Sequence, residues 1–454
     1  MDRAEPARSR HGDPPAFPAL AAMNDETRAT FFRQGGWVSF ATFTGGFACY
    51  LVHLFAQKAG AAEYGNFTTA IRLLEMAALP AVGLQTVIAH QAASARTPDD
   101  EARLTATVGA LAKYIAGVWL VLALALFVAR QPLGQALQIS HPATLAMAFA
   151  TALCALLLPL AAGTLQGRQQ FAPFGGVVLS NGLTRLLVVA VLFEWLRWRT
   201  APAGMSAVLL GYAAAVAIAW WTARFTFTTS NQTRTDWKPW LRRFVPLSLG
   251  AGAGIFLMSV DMIFVKRHFG EIQAGLYGAA STFGRVVPML LGPIIAVMFP
   301  KIVRAAATGT RTRALEWTLA VTAIGGALIA GGLTLWPELP LRLARFKPEY
   351  MEIAPLIPQL AWAMVPLVLG GVLVNYLLAR DDHRVVPWLL VLCVGYAFAL
   401  EYFCTHWAAT PSPLASRFTP LAWTLGAFNC AYLAVTLGFA LRRRAVDAAA
   451  ARAV

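Results

Sequence analysis

Residues 64–80 read YGNFTTAIRLLEMAALP, and residues 277–293 read YGAASTFGRVVPMLLGP. Both stretches begin with Tyr-Gly, have Thr at the sixth position, carry Arg eight residues after the Tyr, and end in Pro. The two arginines, Arg72 and Arg285, lie 213 residues apart in otherwise apolar sequence. An Arg at the centre of a membrane helix costs about 2.5–3.5 kcal/mol on insertion scales, so such residues are rare and usually functional. The repeat predicts a membrane protein built from two related halves, each with a cation at membrane depth.

The composition is typical of a polytopic membrane protein. Hydrophobic residues make up 58% of the 454 residues and charged residues 13%, and the mean hydropathy is +0.58. Soluble domains carry about 25% charged residues, which excludes that class. A spanning helix needs about 20 apolar residues, and this criterion predicts an all-α fold with twelve spans. The predicted spans are 35–56, 66–92, 107–129, 143–165, 174–196, 204–225, 244–266, 274–300, 314–336, 353–379, 385–407 and 418–441.

The basic charge follows the predicted topology. The chain has 37 Lys and Arg residues and a net charge of +15. Most of these residues fall in tails and loops on one side of the membrane when the N-terminus is placed in the cytoplasm. By the positive-inside rule, this bias predicts that both termini are cytoplasmic. Basic runs such as 442–444 are interpreted as membrane anchors that contact lipid, and we predict no nucleic-acid partner.

The repeat also predicts the domain organisation. Six spans in each half return the chain to the same side, so the halves should be related by a pseudo-twofold axis along the membrane normal. We predict an N-terminal six-helix bundle over 35–225 and a C-terminal six-helix bundle over 244–441, joined by a cytoplasmic linker at 226–243. The tail 1–34 is rich in Pro, Arg and Asp and is predicted to be disordered. The tail 442–454 is predicted to be basic and cytoplasmic.

Few charged residues lie inside the predicted spans. Arg72 and Glu75 are three residues apart and share one side of a helix. Asp261 lies near the outer end of the seventh span, and Arg285 lies in the eighth. Two interpretations stay open for each arginine: an ion pair with Glu75 or Asp261, or contact with a ligand in a cavity. The two acids are candidates either for those ion pairs or for coupling to ion movement.

A third arginine leaves a positive surplus. The fifth span carries Asn181 and Arg185 four residues apart, with no acidic neighbour in that span. Three arginines therefore face two acids, which suits an anionic ligand because Arg offers paired donors to phosphate. The five cysteines are scattered without paired spacing, and we find no metal-ligand pattern or phosphate-binding glycine loop. We predict no metal, no cofactor and no catalytic residue.

Three stretches, 61–93, 165–192 and 259–306, carry a resemblance to a known family. They are similar to the helix 2, helix 4–5 and helix 7–8 regions of the oligosaccharide/polysaccharide flippases, a branch of the multidrug/oligosaccharidyl-lipid/polysaccharide (MOP) exporter superfamily. The resemblance implies two six-helix bundles around a central cavity that opens alternately to each side. It also implies a polyprenyl-diphosphate-linked glycan as substrate, moved from the inner to the outer leaflet of a bacterial cytoplasmic membrane.

The resemblance bears on individual residues. In relatives that flip lipid-linked cell-wall precursors, arginines in helices 2 and 8 line the cavity, and Arg72 and Arg285 match those positions. We predict that these two residues, with Arg185 and Asn181, bind the diphosphate. Those relatives also have charged residues in helix 1, whereas 35–57 contains no Asp, Glu, Lys or Arg. This departure argues against the peptidoglycan precursor as the substrate.

The predicted function is that of a flippase and not of an enzyme. One alternative is a cation-coupled multidrug-type exporter, whose cationic substrates would favour an acidic cavity. Another is a membrane glycan polymerase or ligase, which usually needs a sizeable external loop that this chain lacks. The predicted partners are a lipid-linked anionic glycan, membrane lipids and other polysaccharide-assembly proteins, and the predicted oligomeric state is a monomer.

Overall fold

The computed structural model describes residues 25–139, 141–225, 237–292, 314–407 and 413–452. These residues are almost entirely helical, and the described ranges contain no β-strand. The predicted all-α fold is therefore confirmed. Helix length and apolar composition, with all backbone hydrogen bonds made inside each segment, are what the hydrocarbon core of a membrane demands.

The α-helices are numbered in chain order. They are α1 (Asp25–Ala56), α2 (Ala61–Ala77), α3 (Ala81–Ser94), α4 (Pro98–Val128), α5 (Arg130–Ala136), α6 (Pro142–Gly167), α7 (Phe171–Ala190), α8 (Ala201–Ala223), α9 (Trp237–Ser259), α10 (Asp261–Phe269), α11 (Glu271–Gly284), α12 (Ala314–Leu335), α13 (Leu339–Leu343), α14 (Leu356–Ala379), α15 (Val386–Trp407) and α16 (Leu414–Arg452). Residues 286–292 are also helical. Short 3-10 helices occur at Gln57–Ala59, Pro348–Ile353 and His383–Val385, and a π-helical turn at Val191–Trp195.

The number of spans agrees with the prediction as far as the described residues reach. Ten helical segments are long and apolar enough to cross a membrane, and α2 with α3 form an eleventh span bent by 42°. The closely spaced predicted spans 143–165 and 174–196 are two separate helices, α6 and α7. The remaining predicted span, 274–300, contains α11 but continues past residue 292, outside the described residues.

Prolines cause two of the helix breaks. Pro80 cannot donate a backbone hydrogen bond to Met76, and the turn between α2 and α3 lies just before it. Pro288 likewise cannot donate to Gly284, where α11 ends, and Arg285 occupies the turn that follows. The second Pro of the repeated stretch, Pro293, lies outside the described residues. The breaks place Arg285 at the negative end of a helix dipole, which favours a cation there.

Two predicted segment boundaries are wrong. Residues 25–34, predicted to be disordered, form the first turns of α1. This stretch has no Gly or Pro, and Asp25 and Glu26 favour the positive N-terminal end of a helix. The last part of the predicted linker, 237–243, belongs to α9. Residues 1–24 and 226–236 lie outside the described part of the chain, and the basic residues of the C-terminal tail lie on α16.

The packing of the first half repeats in the second. In the first half, α1 packs on α7, α6 packs on both α3 and α8, and α7 packs on α8. In the second half, α9 packs on α15, α14 packs on both α11 and α16, and α15 packs on α16. Each contact of the first half therefore has an equivalent in the second half, between the helices that follow six spans later. This equivalence is what a pseudo-twofold axis between the halves requires.

The halves meet where α2 contacts α11. A Cβ atom added to Gly65 would lie 2.8 Å from the backbone N of Gly275, and one added to Gly275 would lie 1.7 Å from the carbonyl O of Ala61. A Cβ on Gly278 would lie 2.6 Å from Oγ1 of Thr68. Small residues let helix backbones approach closely in membranes. The Gly of each repeated Tyr-Gly pair therefore belongs to the helix crossing at the centre of the molecule.

We predict that Gly275→Ala destabilises the protein by about 1–3 kcal/mol or more, because the new methyl group forces α2 and α11 apart. The measurement is the melting temperature of the purified protein in detergent. The matched control is Gly371→Ala on α14, where a Cβ would meet no atom within 4 Å. A melting temperature for Gly275→Ala equal to that of the control would show that this contact does not hold the halves together.

Candidate functional site

Arg285 forms a buried ion pair with Asp261. Nη2 of Arg285 lies 2.6 Å from Oδ1 and 2.7 Å from Oδ2 of Asp261, and the side chains are 5% and 1% exposed. The hydroxyl of Tyr277 also donates to Oδ2 of Asp261. Nε and Nη1 of Arg285 are buried and have no hydrogen-bond partner among the described residues. The cation is therefore neutralised but keeps two unused donors.

Arg72 pairs with Glu75 on its own helix. Nη1 of Arg72 donates to both carboxylate oxygens of Glu75, at 3.0 and 2.8 Å. Oε2 of Glu75 also accepts a hydrogen bond of 2.7 Å from Ser259 Oγ. Ser259 ends α9, so this bond joins the two halves. The side chains of Arg72 and Glu75 are 12% and 32% exposed, which makes this pair more accessible than the Arg285 pair.

The two ion pairs form one charge cluster. Ser259, which donates to Glu75, is two residues from Asp261, which pairs with Arg285. The break between α9 and α10 at Val260 separates Ser259, which reaches Glu75, from Asp261, which reaches Arg285. The cluster carries two positive and two negative charges and lies at the interface between the halves.

Arg185 and Asn181 lie apart from that cluster. Nε of Arg185 donates to Oδ1 of Asn181 at 2.8 Å, and its guanidinium lies 4.4 Å from the ring centre of Tyr212. The stem of Arg185 packs against Gly211 on α8. Within the described ranges, Arg185 forms no ion pair, and these neighbours lie on α7 and α8. The structure thus brings four of the six predicted site residues together and places the other two between α7 and α8.

Aromatic side chains close the interface at the end predicted to face outside. Phe346 and Tyr350, from the connection between α13 and α14, are buried against Tyr64 at ring-centre distances of 5.9 and 6.3 Å. Phe346 also contacts Phe283, which in turn contacts Tyr50. These rings come from both halves, so the outer end between the halves is closed in this conformation.

Two hydrogen bonds from the first half to the second reinforce the outer closure. Nε2 of Gln57, in the first half, donates to the carbonyl O of Arg345 at 3.4 Å. Nε2 of Gln138, in the first half, donates to the carbonyl O of Arg267 at 3.2 Å. Each bond joins a connection of one half to a segment of the other. Moving the halves apart at this end would break both.

Several residues of the site were not predicted from the sequence. Ser259 and the ring contacts of Phe346 left no sequence signal, because they depend on how the helices are rotated. Tyr64 and Tyr277 did leave one, since they open the two repeated stretches. Tyr277 donates to Asp261, whereas the Tyr64 hydroxyl lies 2.9 Å from Nδ1 of His53 and 3.4 Å from Oγ1 of Thr282. The described residues contain no group of three His, Cys, Asp or Glu side chains that could hold a metal ion.

Comparison with known proteins identifies the family. The sequence model of the family described as "Polysaccharide biosynthesis protein" matches residues 33–306, more than half of the chain. The chain belongs to the polysaccharide biosynthesis protein family. The match covers most of α1 and all of α2 to α11, and therefore all six predicted site residues. No curated protein sequence matches the chain.

Solved structures show that this family member has the fold of MOP-superfamily transporters. An inward-facing multidrug resistance MATE family transporter of the MOP superfamily aligns with a TM-score of 0.64 at 14% identity, over 90% of this chain and 95% of that chain. A mutant of the Vibrio cholerae MATE transporter VcmN aligns at 0.61 and 15%, over 92% and 99%. The eukaryotic MATE transporter AtDTX14 aligns at 0.63 and 12%, over 91% and 96%. At these identities the comparison shows a shared fold, which is the fold that the resemblance implied.

We predict that Asp261→Asn destabilises the protein by about 3–5 kcal/mol, because Arg285 is left buried without a counter-charge. The double variant Asp261→Asn/Arg285→Met should regain much of that loss, since the buried charge is removed. Glu338→Gln is the control, because its partner Arg342 is 70% exposed, and it should change stability by less than about 1 kcal/mol. The measurement is thermal unfolding in detergent. Equal stabilities of Asp261→Asn and Glu338→Gln would contradict the ion-pair assignment.

Proposed function

We propose that this protein is a flippase for a polyprenyl-diphosphate-linked oligosaccharide, a precursor of cell-surface polysaccharide or lipopolysaccharide. The oligosaccharide would cross in a cavity between the halves while the prenyl chain stays outside that cavity, on the lipid-facing side of the protein. Closing one end and opening the other would carry the head group from the inner to the outer leaflet. No bond is made or broken, so the proposal is for a transporter without chemical catalysis.

The observation that carries the proposal is the pair of arginines at the interface between the halves. A diphosphate could not cross hydrocarbon without groups that replace its hydration. Arg285 has two buried donors without partners, and Arg72 is partly accessible beside it in the same cluster. Charge-assisted bonds from Arg to phosphate are short and strong. The cluster therefore offers donors suited to a diphosphate at the depth where water is absent.

The acids define how such a site would work. In this conformation Glu75 and Asp261 neutralise both arginines, so the cations do not remain as isolated charges in the membrane. A diphosphate would replace the carboxylates as the counter-charge of one or both arginines. Glu75 is the more accessible acid and bridges the halves through Ser259, so its release would also loosen contact between α2 and α9. Ion coupling through Glu75 or Asp261 stays a prediction.

Arg185 has a different place in the proposal. It lies between α7 and α8 and forms no ion pair with the described residues, and Asn181 is its hydrogen-bond partner. We propose that these two residues contact the anionic part of the substrate as it moves through the first half. The positive surplus predicted from the sequence therefore rests on Arg185 rather than on the central cluster.

A cation-coupled multidrug exporter is the second candidate, and the MATE fold is the observation that favours it. The central cluster is neutral in this conformation, and its preference for an anion rests on the unused donors of Arg285 and on the accessible Arg72. The family match favours the glycan, because it covers both arginines and describes polysaccharide biosynthesis. We further propose a bacterial cytoplasmic membrane location, cytoplasmic termini, a monomer, and other polysaccharide-assembly proteins as partners.

We predict that the purified protein, reconstituted in vesicles, speeds the appearance of a lipid-diphosphate-linked oligosaccharide in the opposite leaflet. Exposure to an added lectin or glycan hydrolase measures the movement. Arg72→Ala should reduce movement to the background of empty vesicles, because the accessible cation is lost. Arg285→Lys keeps a charge but loses the planar donor set, and it should also reduce movement.

Arg342→Ala is the matched control, since Arg342 is an exposed arginine outside the cluster. The melting temperature of each variant separates loss of transport from loss of folding. Normal transport by folded Arg72→Ala and Arg285→Lys would rule out the assigned site. Absence of movement for wild-type protein with several lipid-diphosphate glycans, together with efflux of cationic drugs, would favour the exporter.

A further inference from the structure

A long apolar groove lies beside the charge cluster. It encloses about 660 Å³ between the bend of α2 and α3, the spanning segment α9–α10, and α15. Apart from Ser248 and Glu401, every residue that lines it is apolar. Its floor includes Ala253 and Cys393, which are 3% and 7% exposed, whereas Phe398 on its rim is 73% exposed. The groove is therefore a slot that is closed towards the protein and open to the side.

The groove runs along the membrane-spanning direction. Its lining extends from Ser248 to Phe264 along α9 and α10, a length of about 24 Å at 1.5 Å per residue. The hydrocarbon core of a bilayer is about 30 Å thick. A slot of this length, apolar along its sides and open to lipid, fits an extended hydrocarbon chain that enters from the bilayer.

The equivalent helices of the first half leave no such space between them. There, α1 and α7 meet so closely that a Cβ on Gly182 would lie 2.1 Å from the carbonyl O of Gly45. The corresponding helices α9 and α15 meet at the floor of the groove, where Sγ of Cys393 lies 3.8 Å from the carbonyl O of Ala253, and the groove opens between them above that contact. The fold alone does not require the groove, because the other half builds the same helix pair in close contact. It is a specific feature of the second half.

The groove and the charge cluster share two helical segments. On α9, Phe256 lines the groove and Ser259, three residues later, donates to Glu75. Leu79, in the turn between α2 and α3 and four residues after Glu75, also lines the groove. A turn of helix rises about 5.4 Å. A ligand that places an anionic group at Arg72 could therefore lay a directly attached chain in the groove.

We propose that this groove holds the single polyprenyl chain of the lipid-linked substrate while the diphosphate occupies the charge cluster. The inference rests on the proposed function. It adds a binding site for the apolar chain of the substrate whose diphosphate the charge cluster would bind. A single chain joined directly to a diphosphate matches one slot beside one cationic site. A phospholipid has two chains on a glycerol, and one slot does not accommodate both.

The test uses a polyprenyl diphosphate with a photoreactive diazirine in its tail, added to the protein in nanodiscs. Mass spectrometry should find adducts at groove residues such as Leu249, Val394 and Phe398, and an excess of unlabelled polyprenyl diphosphate should abolish them. Ala397→Trp fills the groove and should abolish the adducts. Val391→Trp is the control, because Val391 is a 64% exposed residue of α15 outside the groove.

A second groove-filling variant keeps the test valid if Ala397→Trp does not fold. A Cβ at Gly252 would make only ordinary contacts with Leu79, the closest at 3.4 Å, so Gly252→Leu extends its side chain into the groove without displacing backbone. Both filling variants should keep the wild-type melting temperature. In vesicles, both should lose transport of the lipid-linked glycan, whereas Val391→Trp should transport normally.

The outcomes distinguish failure of the groove proposal from failure of the proposed function. Specific labelling of the groove without transport of any glycan would support the groove and defeat the flippase. Normal transport by both filling variants would overturn the groove and leave the flippase standing. Equal labelling by a diazirine-bearing phosphatidylcholine, or adducts spread evenly to the Val391 face, would also overturn the groove proposal and indicate ordinary bilayer lipid.

Discussion

A guanidinium at membrane depth is costly unless it is paired, and the centre of this molecule is arranged around that constraint. Arg72 and Arg285 occupy equivalent positions in the two repeated stretches, yet their acids do not. With the offset of 213 residues, Asp261 corresponds to Ala48 and Glu75 corresponds to Pro288. The two arginines therefore occupy equivalent positions in the halves, whereas the acids that neutralise them do not. One pair is buried on a broken helix, and the other is accessible and bonded across the interface.

This asymmetry gives the two arginines different tasks in the proposed transport cycle. The Arg285 pair is nearly inaccessible and is held further by Tyr277, which suits a fixed point about which the second half is organised. The Arg72 pair is more accessible to a ligand, and among the described residues Ser259 of the second half donates a hydrogen bond to its Glu75. A diphosphate that displaces Glu75 would thus act on a contact between the halves. Binding and the opening of the interface would then share one set of side chains.

Sequence alone predicted the elements whose signal is local. Apolar length gave the spans, and the repeated Tyr-Gly and Arg positions gave the pairing of α2 with α11 as equivalent helices. The pairing of Arg72 with Glu75 and of Arg285 with Asp261 stayed one of two alternatives, because hydropathy does not tell which way a helix face points. The bond from Ser259, the closure by Phe346 and the groove beside α15 depend on helix rotation and bending. The positions of the prolines indicated where helices could bend but not by what angle.

The central claim is that Arg72 binds phosphate and that Glu75 neutralises Arg72 while no substrate is bound. The most direct measurement is the affinity of a polyprenyl-diphosphate-linked oligosaccharide for wild-type and Glu75→Gln protein in nanodiscs. Removal of the carboxylate frees Arg72 and removes a negative charge that would repel phosphate, so the account predicts tighter binding by Glu75→Gln. Unchanged or weaker binding, with the melting temperature preserved, would contradict it and leave the Arg72 pair a structural one.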